Sequence, residues 1–431
     1  MRKEDKAQSL SPWTWIPTLY FAQGIPYVVV MTLSVIMYKN LNLSNTEIAL
    51  YTSWLYLPWV VKPLWSPLVD MFRTKRFWIV LLQFAVGVAL AFVAFTLPTP
   101  FFFQATLAVF WLMAFASATH DIAADGFYML GLEQHQQAAF VGVRTVFWRI
   151  ANIAGQGLLV VLAGMLTEQT GNVILAWQIV FIVLAVMFAL IGAYHFFMLP
   201  KPSADQAVRI EGDLVKDFVS TFVVFFKRAD IWLVLSFLLT YRLAEAQLVK
   251  LGSPFLLDKV NAGGLSLSTA QVGWVYGTVG VLALTLGGIA GGYAISRKGL
   301  KFWLWPMLFA IHVPNLAYVF LAALQPTSLS VIASAIAIEQ LGYGFGFAAY
   351  LLFMIMVADG PHKTAHYALC TGFMALGMML PGMVSGWIQT QLGYTNFFIW
   401  VCICTLPSML IAIFVKIDPA FGKKQAKADS A

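Results

Sequence analysis

The stretch FFFQATLAVFWLMAFASATHDIAADG, residues 101–126, decides how this chain is read. Its first part, Phe101 to Ala116, carries no formal charge and has the length and character of a helix that crosses a bilayer. His120, Asp121 and Asp125 follow without a break. The two carboxylates lie one helical turn apart, so they share a face. Ionisable groups at such depth are costly and turn toward a protein interior or a water-filled path. The question set by this stretch is what partners them.

The rest of the chain has the same character. Of its 431 residues, 60% are hydrophobic and only 10% charged, and its mean hydropathy is +0.80. That composition excludes a water-soluble globular domain. About a dozen apolar runs are long enough to span, and they are continuous rather than alternating, which argues for helices and against a β-barrel. The net charge of +7 is no sign of nucleic-acid binding, because the cations are clustered. They fall at Arg2, Lys3 and Lys6, at Arg73, Lys75 and Arg76, between Lys201 and Arg228, at Arg297, Lys298 and Lys301, at His362 and Lys363, and from Lys416 to Lys427. The intervening turns carry almost none, with Lys39 and Lys259 as exceptions. This alternation places both termini and every cluster in the cytoplasm and requires an even number of spans. Cys370, Cys402 and Cys404 lie inside apolar runs without metal-ligand spacing and read as small apolar filler. The N-terminal MRKEDKAQSLSPW leads into a full-length span and does not read as a cleavable signal peptide.

Taken in order, span 1 contains Phe21-Ala-Gln-Gly-Ile-Pro26, a Gly–Pro break at mid-depth that reads equally as a kink or as a substrate-lining point. Asn45 and Thr46 are candidate N-caps for span 2. Span 2 carries Lys62 and ends in Asp70, followed by the basic turn Arg73-Thr-Lys-Arg76. Spans 4 and 5 are joined by the short link Gly131 to Gln137. Residues 201–230 form a charged linker at the centre of the chain, and Leu214 to Lys227 within it is amphipathic, as an interfacial helix would be. The second half repeats the first: Arg297-Lys-Gly-Leu-Lys-Phe-Trp303 answers Arg73-Thr-Lys-Arg-Phe-Trp78, each opening a third span. Span 10 holds Glu339, Gln340 and the run Gly342-Tyr-Gly-Phe-Gly346, whose natural use is close helix packing. The expected divisions are a six-helix bundle at 1–200, the linker at 201–230, a second six-helix bundle at 231–416 and a disordered basic tail at 417–431.

Depth arithmetic supplies partners for the carboxylates. Spans 4 and 5 form an antiparallel pair, so residues equidistant from the link lie level. Asp125 then faces Arg144, and Asp121 lies near Trp148 and Arg149. Lys62 sits at a similar depth on span 2, counting about 1.5 Å per residue from Asp70. Three cations against two anions leave a positive excess, which suits an anionic ligand. Asp125 and Arg144 read as a gate or structural pair, and Arg149 as either structural or substrate-binding. In the second half, Arg242, Glu245 and Glu339 fall near mid-depth, where a carboxyl beside a cation can trade its proton for that partner. His120 and His312 read as hydrogen-bonded packing residues. No hydrolase, P-loop or dinucleotide motif is present, and His120–Asp121 is the one nucleophile–base candidate for an enzyme reading.

Several segments resemble the AmpG-type muropeptide permeases of the major facilitator superfamily. They are Phe21-Ala-x-Gly-x-Pro26, Lys62-x-Leu-Trp-Ser-Pro-Leu-x-Asp70, Ser117-Ala-x-x-Asp121-Ile-x-x-Asp125, Arg149, Tyr241-Arg242-Leu-x-Glu245-Ala and Glu339. The resemblance covers nearly the whole chain. The turn after span 2 also resembles the loop in which this superfamily latches its cytoplasmic face through Asp and Arg, with Ser66 or Pro67 where a glycine is usual. Some members of the group carry two extra spans, and the best known have Asp and Lys where this chain has Glu245 and Arg242. The group also lies near acetyl-coenzyme A transporters and siderophore permeases.

The resemblance implies an all-α membrane fold of twelve helices in two pseudo-symmetric bundles, working by alternating access as a monomer in the inner membrane. It implies proton symport of an anionic cell-wall sugar or muropeptide, without a cofactor. On this reading Arg149, Asp121, Lys62 and Arg242 bind substrate, Glu339 and Glu245 carry the proton, and Asp70, Arg73, Asp125 and Arg144 form a cytoplasmic gate. A siderophore or acyl-coenzyme-type anion is the alternative cargo, and a membrane acyltransferase the alternative class.

Overall fold

The computed structural model describes residues 11–206, 214–359 and 363–423, and every regular element among them is a helix. Among the described residues, ten helical stretches are long and apolar enough to cross a membrane. Span 1 is Pro12–Asn40, span 3 Lys75–Thr96, span 4 Phe102–Gly131 and span 6 Val173–Met198. Span 5 enters the apolar layer at Gly142–Thr170. In the second half, Ile231–Leu257, Thr269–Lys298, Leu300–Leu324 and Leu329–Ala358 are spans 7 to 10. Ala365–Ala412 holds two crossings, spans 11 and 12, which meet at the left-handed Gly393 (φ 71°). Span 2 is broken into Asn45–Trp54 and Leu57–Phe72; counted with the two crossings of Ala365–Ala412, it gives twelve among the described residues. The N-cap of span 2 is Ser44 and not Asn45 or Thr46: Ser44 Oγ accepts from the Glu47 amide in a capping box. The Asn45 side chain is used elsewhere, as described below.

The helices pack as two compact units, Met1–Ser34 with Leu64–Gly212, and Val35–Pro63 with Asp213–Ala431. The second unit therefore includes the ends of spans 1 and 2 that lie away from the basic turns. The Leu214–Phe226 helix belongs to it as well, and Phe225 there is buried against His366 and Phe373.

The internal repeat extends to side-chain geometry. Phe77 and Trp78 meet edge to face at 5.9 Å, and Phe302 and Trp303 do so at 5.4 Å. Arg73 lies 5.6 Å from the Phe77 ring centroid, and Lys298 lies 4.5 Å from that of Phe302. Each basic turn thus lays one cation on the aromatic residue a helical turn later.

The glycines of span 10 set its neighbours. A methyl group on Gly344 would strike the Leu284 carbonyl oxygen of span 8, and one on Gly342 or Gly346 would strike the Ala310 or Met307 carbonyl oxygen of span 9. Span 10 is held between two backbones at a distance that only glycine allows.

Residues assigned to the linker and tail also pack. Asp205 is buried and accepts from the Lys75 and Arg76 amides at 2.7 and 3.0 Å, filling the free donors at the start of span 3. Asp205→Ala is expected to lower stability by about 1–2 kcal/mol, read as an earlier melt of the purified protein. At the other end, the Leu300 amide donates to the Phe421 carbonyl at 3.0 Å. Residues 424–431, the remainder of the expected tail, lie outside the described residues.

Candidate functional site

Each unit contains its own polar cluster. In the first, Arg144 Nη2 donates to Asp125 Oδ1 at 2.9 Å, and the Tyr20 hydroxyl donates to the same oxygen at 3.3 Å. The guanidinium lies over the rings of Tyr20 and Tyr128, 4.6 and 5.1 Å from their centroids. The pair is partly open to solvent, with 29% of the Arg144 side chain and 42% of that of Asp125 accessible. An ion pair at that exposure breaks and re-forms at modest cost. Asp121 and Arg149 are partly buried in the same unit, and Lys62 is partly buried in the other. Arg73 is exposed over Phe77, and the side chain of Asp70 lies outside the described residues.

His120 is held by Gln83 of span 3. It is buried, and the Gln83 amide nitrogen lies 3.0 Å from its Nε2. Gln83 Oε1 accepts from His195 Nδ1 at 2.8 Å, and His195 Nε2 is 2.8 Å from the Thr18 hydroxyl. This buried chain links spans 4, 3, 6 and 1, and it removes the nucleophile–base pair that an acyltransferase would need. His312 is likewise held, 2.8 Å from Ser408 Oγ. His195, in the last turn of span 6, does not stand out in the sequence; alone in an apolar run, it gives no hint of Gln83.

The second cluster is built on a break in span 7. The helix Ile231–Thr240 ends, Tyr241 and Arg242 form a turn, and a new helix runs Leu243–Leu257. Glu245 falls in the first turn of the new helix, where unpaired backbone N–H groups favour a carboxylate. The Tyr241 hydroxyl donates to the Gly346 carbonyl and that of Tyr350 to the Leu238 carbonyl, at 2.8 and 2.6 Å, fixing the break against span 10. Arg242 Nη2 donates to the Tyr343 hydroxyl, and its guanidinium lies over the Tyr343 and Phe347 rings at 5.3 and 4.9 Å.

Glu245 and Glu339 are 2% and 1% exposed. Glu339 Oε2 accepts from Gln340 Nε2 at 2.9 Å. Its Oε1, both oxygens of Glu245 and the Tyr318 hydroxyl have no hydrogen-bond partner among the described residues. Glu245 interacts electrostatically with Arg242 and with Glu339.

The second unit carries one more polar group, at the end away from the basic turns. Lys39 Nζ lies 2.6 Å from Asp258 Oδ1 and donates to Asn45 Oδ1 at 2.8 Å. Asn45 Nδ2 donates to Gln389 Oε1 at 2.8 Å, and the Tyr394 hydroxyl donates to Asp258 Oδ2 at 2.6 Å. Lys39, an exception in the charge pattern, is thus a paired residue. Among the described residues, no group of three or more His, Cys, Asp or Glu side chains is placed to hold a metal ion.

Among the described residues, apolar helices long enough to cross a membrane, an internal repeat and a broken helix with buried carboxylates describe a transport protein. The family model of the Major Facilitator Superfamily matches residues 18–368. The chain belongs to the Major Facilitator Superfamily. It is a multi-pass membrane transporter of that superfamily and not an enzyme. It is similar to the anhydromuropeptide permease of Escherichia coli, 26% identical over 92% of this chain and 78% of that protein. It is also similar to the putative transporter AmpG 4 of Rickettsia conorii, 24% identical over 92% of this chain and 94% of that one. Among solved structures, the nucleoside transporter NupG is matched at a TM-score of 0.67, with 16% identity, over 94% of this chain and 99% of that one. A bacterial homologue of the lysosomal transporter Spinster, inward-facing and unoccupied, is matched at 0.68 with 14% identity, over 95% and 97%. These structures share the superfamily fold.

Proposed function

We propose that this transporter is a proton symporter importing an anionic, cell-wall-derived sugar or muropeptide across the inner membrane by alternating access, with both termini cytoplasmic. The observation that carries the coupling is the pair Glu245 and Glu339, buried and short of hydrogen bonds beside Arg242. A proton bound there removes a charge from a buried part of the unit. Its loss leaves a carboxylate that must find Arg242 or water, and that difference ties protonation to conformation. The substrate class is supported by the anhydromuropeptide permease, which is similar over nearly the whole chain. An anhydromuropeptide carries carboxylates and suits the cations Arg149, Lys62 and Arg242.

In this reading Arg149, Asp121, Lys62 and Arg242 contact or orient the substrate. Asp70, Arg73, Asp125 and Arg144 form a cytoplasmic gate, and the Leu214–Phe226 helix lies at the membrane surface. The partial exposure of Asp125 and Arg144 suits a contact that opens each cycle. Asp125→Asn is expected to lower the maximal uptake rate by about tenfold, or ~1.4 kcal/mol, with little change in equilibrium ligand binding. The reverse pattern would make Asp125 a substrate contact.

The function is tested by uptake into proteoliposomes under an imposed inward proton gradient, offering an anhydromuropeptide, free anhydro-sugars, a siderophore and an acyl-coenzyme A. Gradient-dependent accumulation of the anhydromuropeptide is the expected result. Accumulation of another cargo alone would replace the substrate, and gradient-independent uptake would remove the coupling.

A further inference from the structure

Lys250 is a buried cation apart from both polar clusters. It lies on span 7 five residues beyond Glu245 and is 2% exposed. Its ammonium donates to Thr52 Oγ1 at 2.9 Å and sits 5.3 Å from the Tyr56 ring centroid. No carboxylate among the described residues forms an ion pair with it. An ammonium offers three donors and is almost never buried without an anion. Beside it, Ser53 Oγ is buried with no hydrogen-bond partner among the described residues. Gly382 of span 11 closes the place: a methyl group there would lie 2.7 Å from Ser53 Oγ and 3.4 Å from Lys250 Cγ. A hydroxyl, a ring face and a spare serine oxygen are weak company for a buried cation, and an apolar side chain would pack there at lower cost.

The residues around Lys250 come from one stretch of the chain. Thr52, Ser53 and Tyr56 belong to residues 35–63, and the same piece is fastened by Lys39–Asp258 and by Asn45 to Gln389 and Tyr394. If it withdraws from spans 7 and 11, Lys250 loses both partners and presents its donors to the side away from the basic turns.

We propose that Lys250 is a binding site for a carboxylate of the transported solute, filled when residues 35–63 stand away from spans 7 and 11. Thr52 and Tyr56 take the carboxylate's place in the closed arrangement. The site is distinct from Arg149, Lys62 and Arg242, and it rests on the alternating-access reading. It makes solute release and closure of residues 35–63 one exchange, in which the hydroxyl and the ring replace the anion on the ammonium.

The test compares wild type with Lys250→Met and Lys250→Arg, using an anhydromuropeptide and its fully amidated form, which lacks carboxylates. Wild type should favour the acid over the amide by about tenfold in kcat/KM. Lys250→Met should weaken that preference several-fold, through KM, with the acid losing more than the amide, and should melt no lower than wild type in the absence of ligand. Lys250→Arg, which keeps the charge, should retain the preference. Equal losses for acid and amide in Lys250→Met, or failure of that variant to fold, would make the lysine a structural residue and overturn the proposal. If wild type transports neither compound, the muropeptide reading fails, and Lys250 is then decided by melting of the purified protein with citrate. Stabilisation by citrate that is lost in Lys250→Met supports the site; equal stabilisation, or none in wild type, overturns it.

Discussion

Glu339→Gln is expected to give a folded protein whose substrate accumulation under a proton gradient falls by at least about tenfold, while exchange of substrate at equal pH persists. Gln reproduces the shape and polarity of the protonated acid and cannot release a proton. Glu339 is suited to such a test because it is 1% exposed and one of its oxygens has no hydrogen-bond partner among the described residues. The substitution thus removes one event, ionisation, and leaves the packing in place. Glu245→Gln is the companion experiment. Glu245 is equally buried but sits beside Arg242, so its replacement leaves that cation without its neighbouring acid and should also reduce exchange. If Glu339→Gln kept a normal response to the gradient, the proton would have to be carried elsewhere.

The second large effect is on folding. Gly344→Ala is expected to destabilise the protein by about 3 kcal/mol or more and to leave little of it in the membrane. The added methyl group would meet the Leu284 carbonyl oxygen and approach the Gly288 amide nitrogen to 2.9 Å. Both are backbone atoms, so no rotamer change relieves the contact, and spans 8 and 10 must move apart. Gly292, on span 8, has nothing within 4 Å of an added Cβ and is the control. Gly292→Ala should be neutral or stabilising by up to ~1 kcal/mol through helix propensity. Melting of the two purified variants separates these outcomes; equal midpoints would contradict the close packing of spans 8 and 10.

Much of this architecture is legible in the order of residues alone. A long apolar run is unambiguous because a bilayer leaves the backbone little choice but a helix, and the positions of the Lys/Arg clusters and the Phe77-Trp78 and Phe302-Trp303 pairs disclose the repeat. Asp125 and Arg144 are legible as partners because a short link between antiparallel helices fixes which residues lie level. The break in span 7 is not. Leu238 to Leu243 contains no glycine or proline, and the turn at Tyr241 and Arg242 is held by tyrosine hydroxyls and carbonyls shared with span 10. Nothing local records those contacts. Asp205 capping span 3, Asp258 pairing Lys39 and Gln83 joining two histidines are likewise long-range contacts. Each is made by a residue unremarkable in its own neighbourhood. The N-cap of span 2 shows the same limit on a small scale. Asn45 has the right chemistry for a cap, but its amide is engaged by Gln389 and Tyr394, and Ser44 caps instead.

The measurement closest to the central claim is proton movement itself. Purified transporter is reconstituted with a pH-sensitive dye sealed inside the vesicles, without an imposed gradient, and an anhydromuropeptide is added outside. Acidification of the lumen that depends on the substrate is expected in wild type and is expected to be absent in Glu339→Gln. Substrate uptake by wild type with no change in internal pH would contradict that claim.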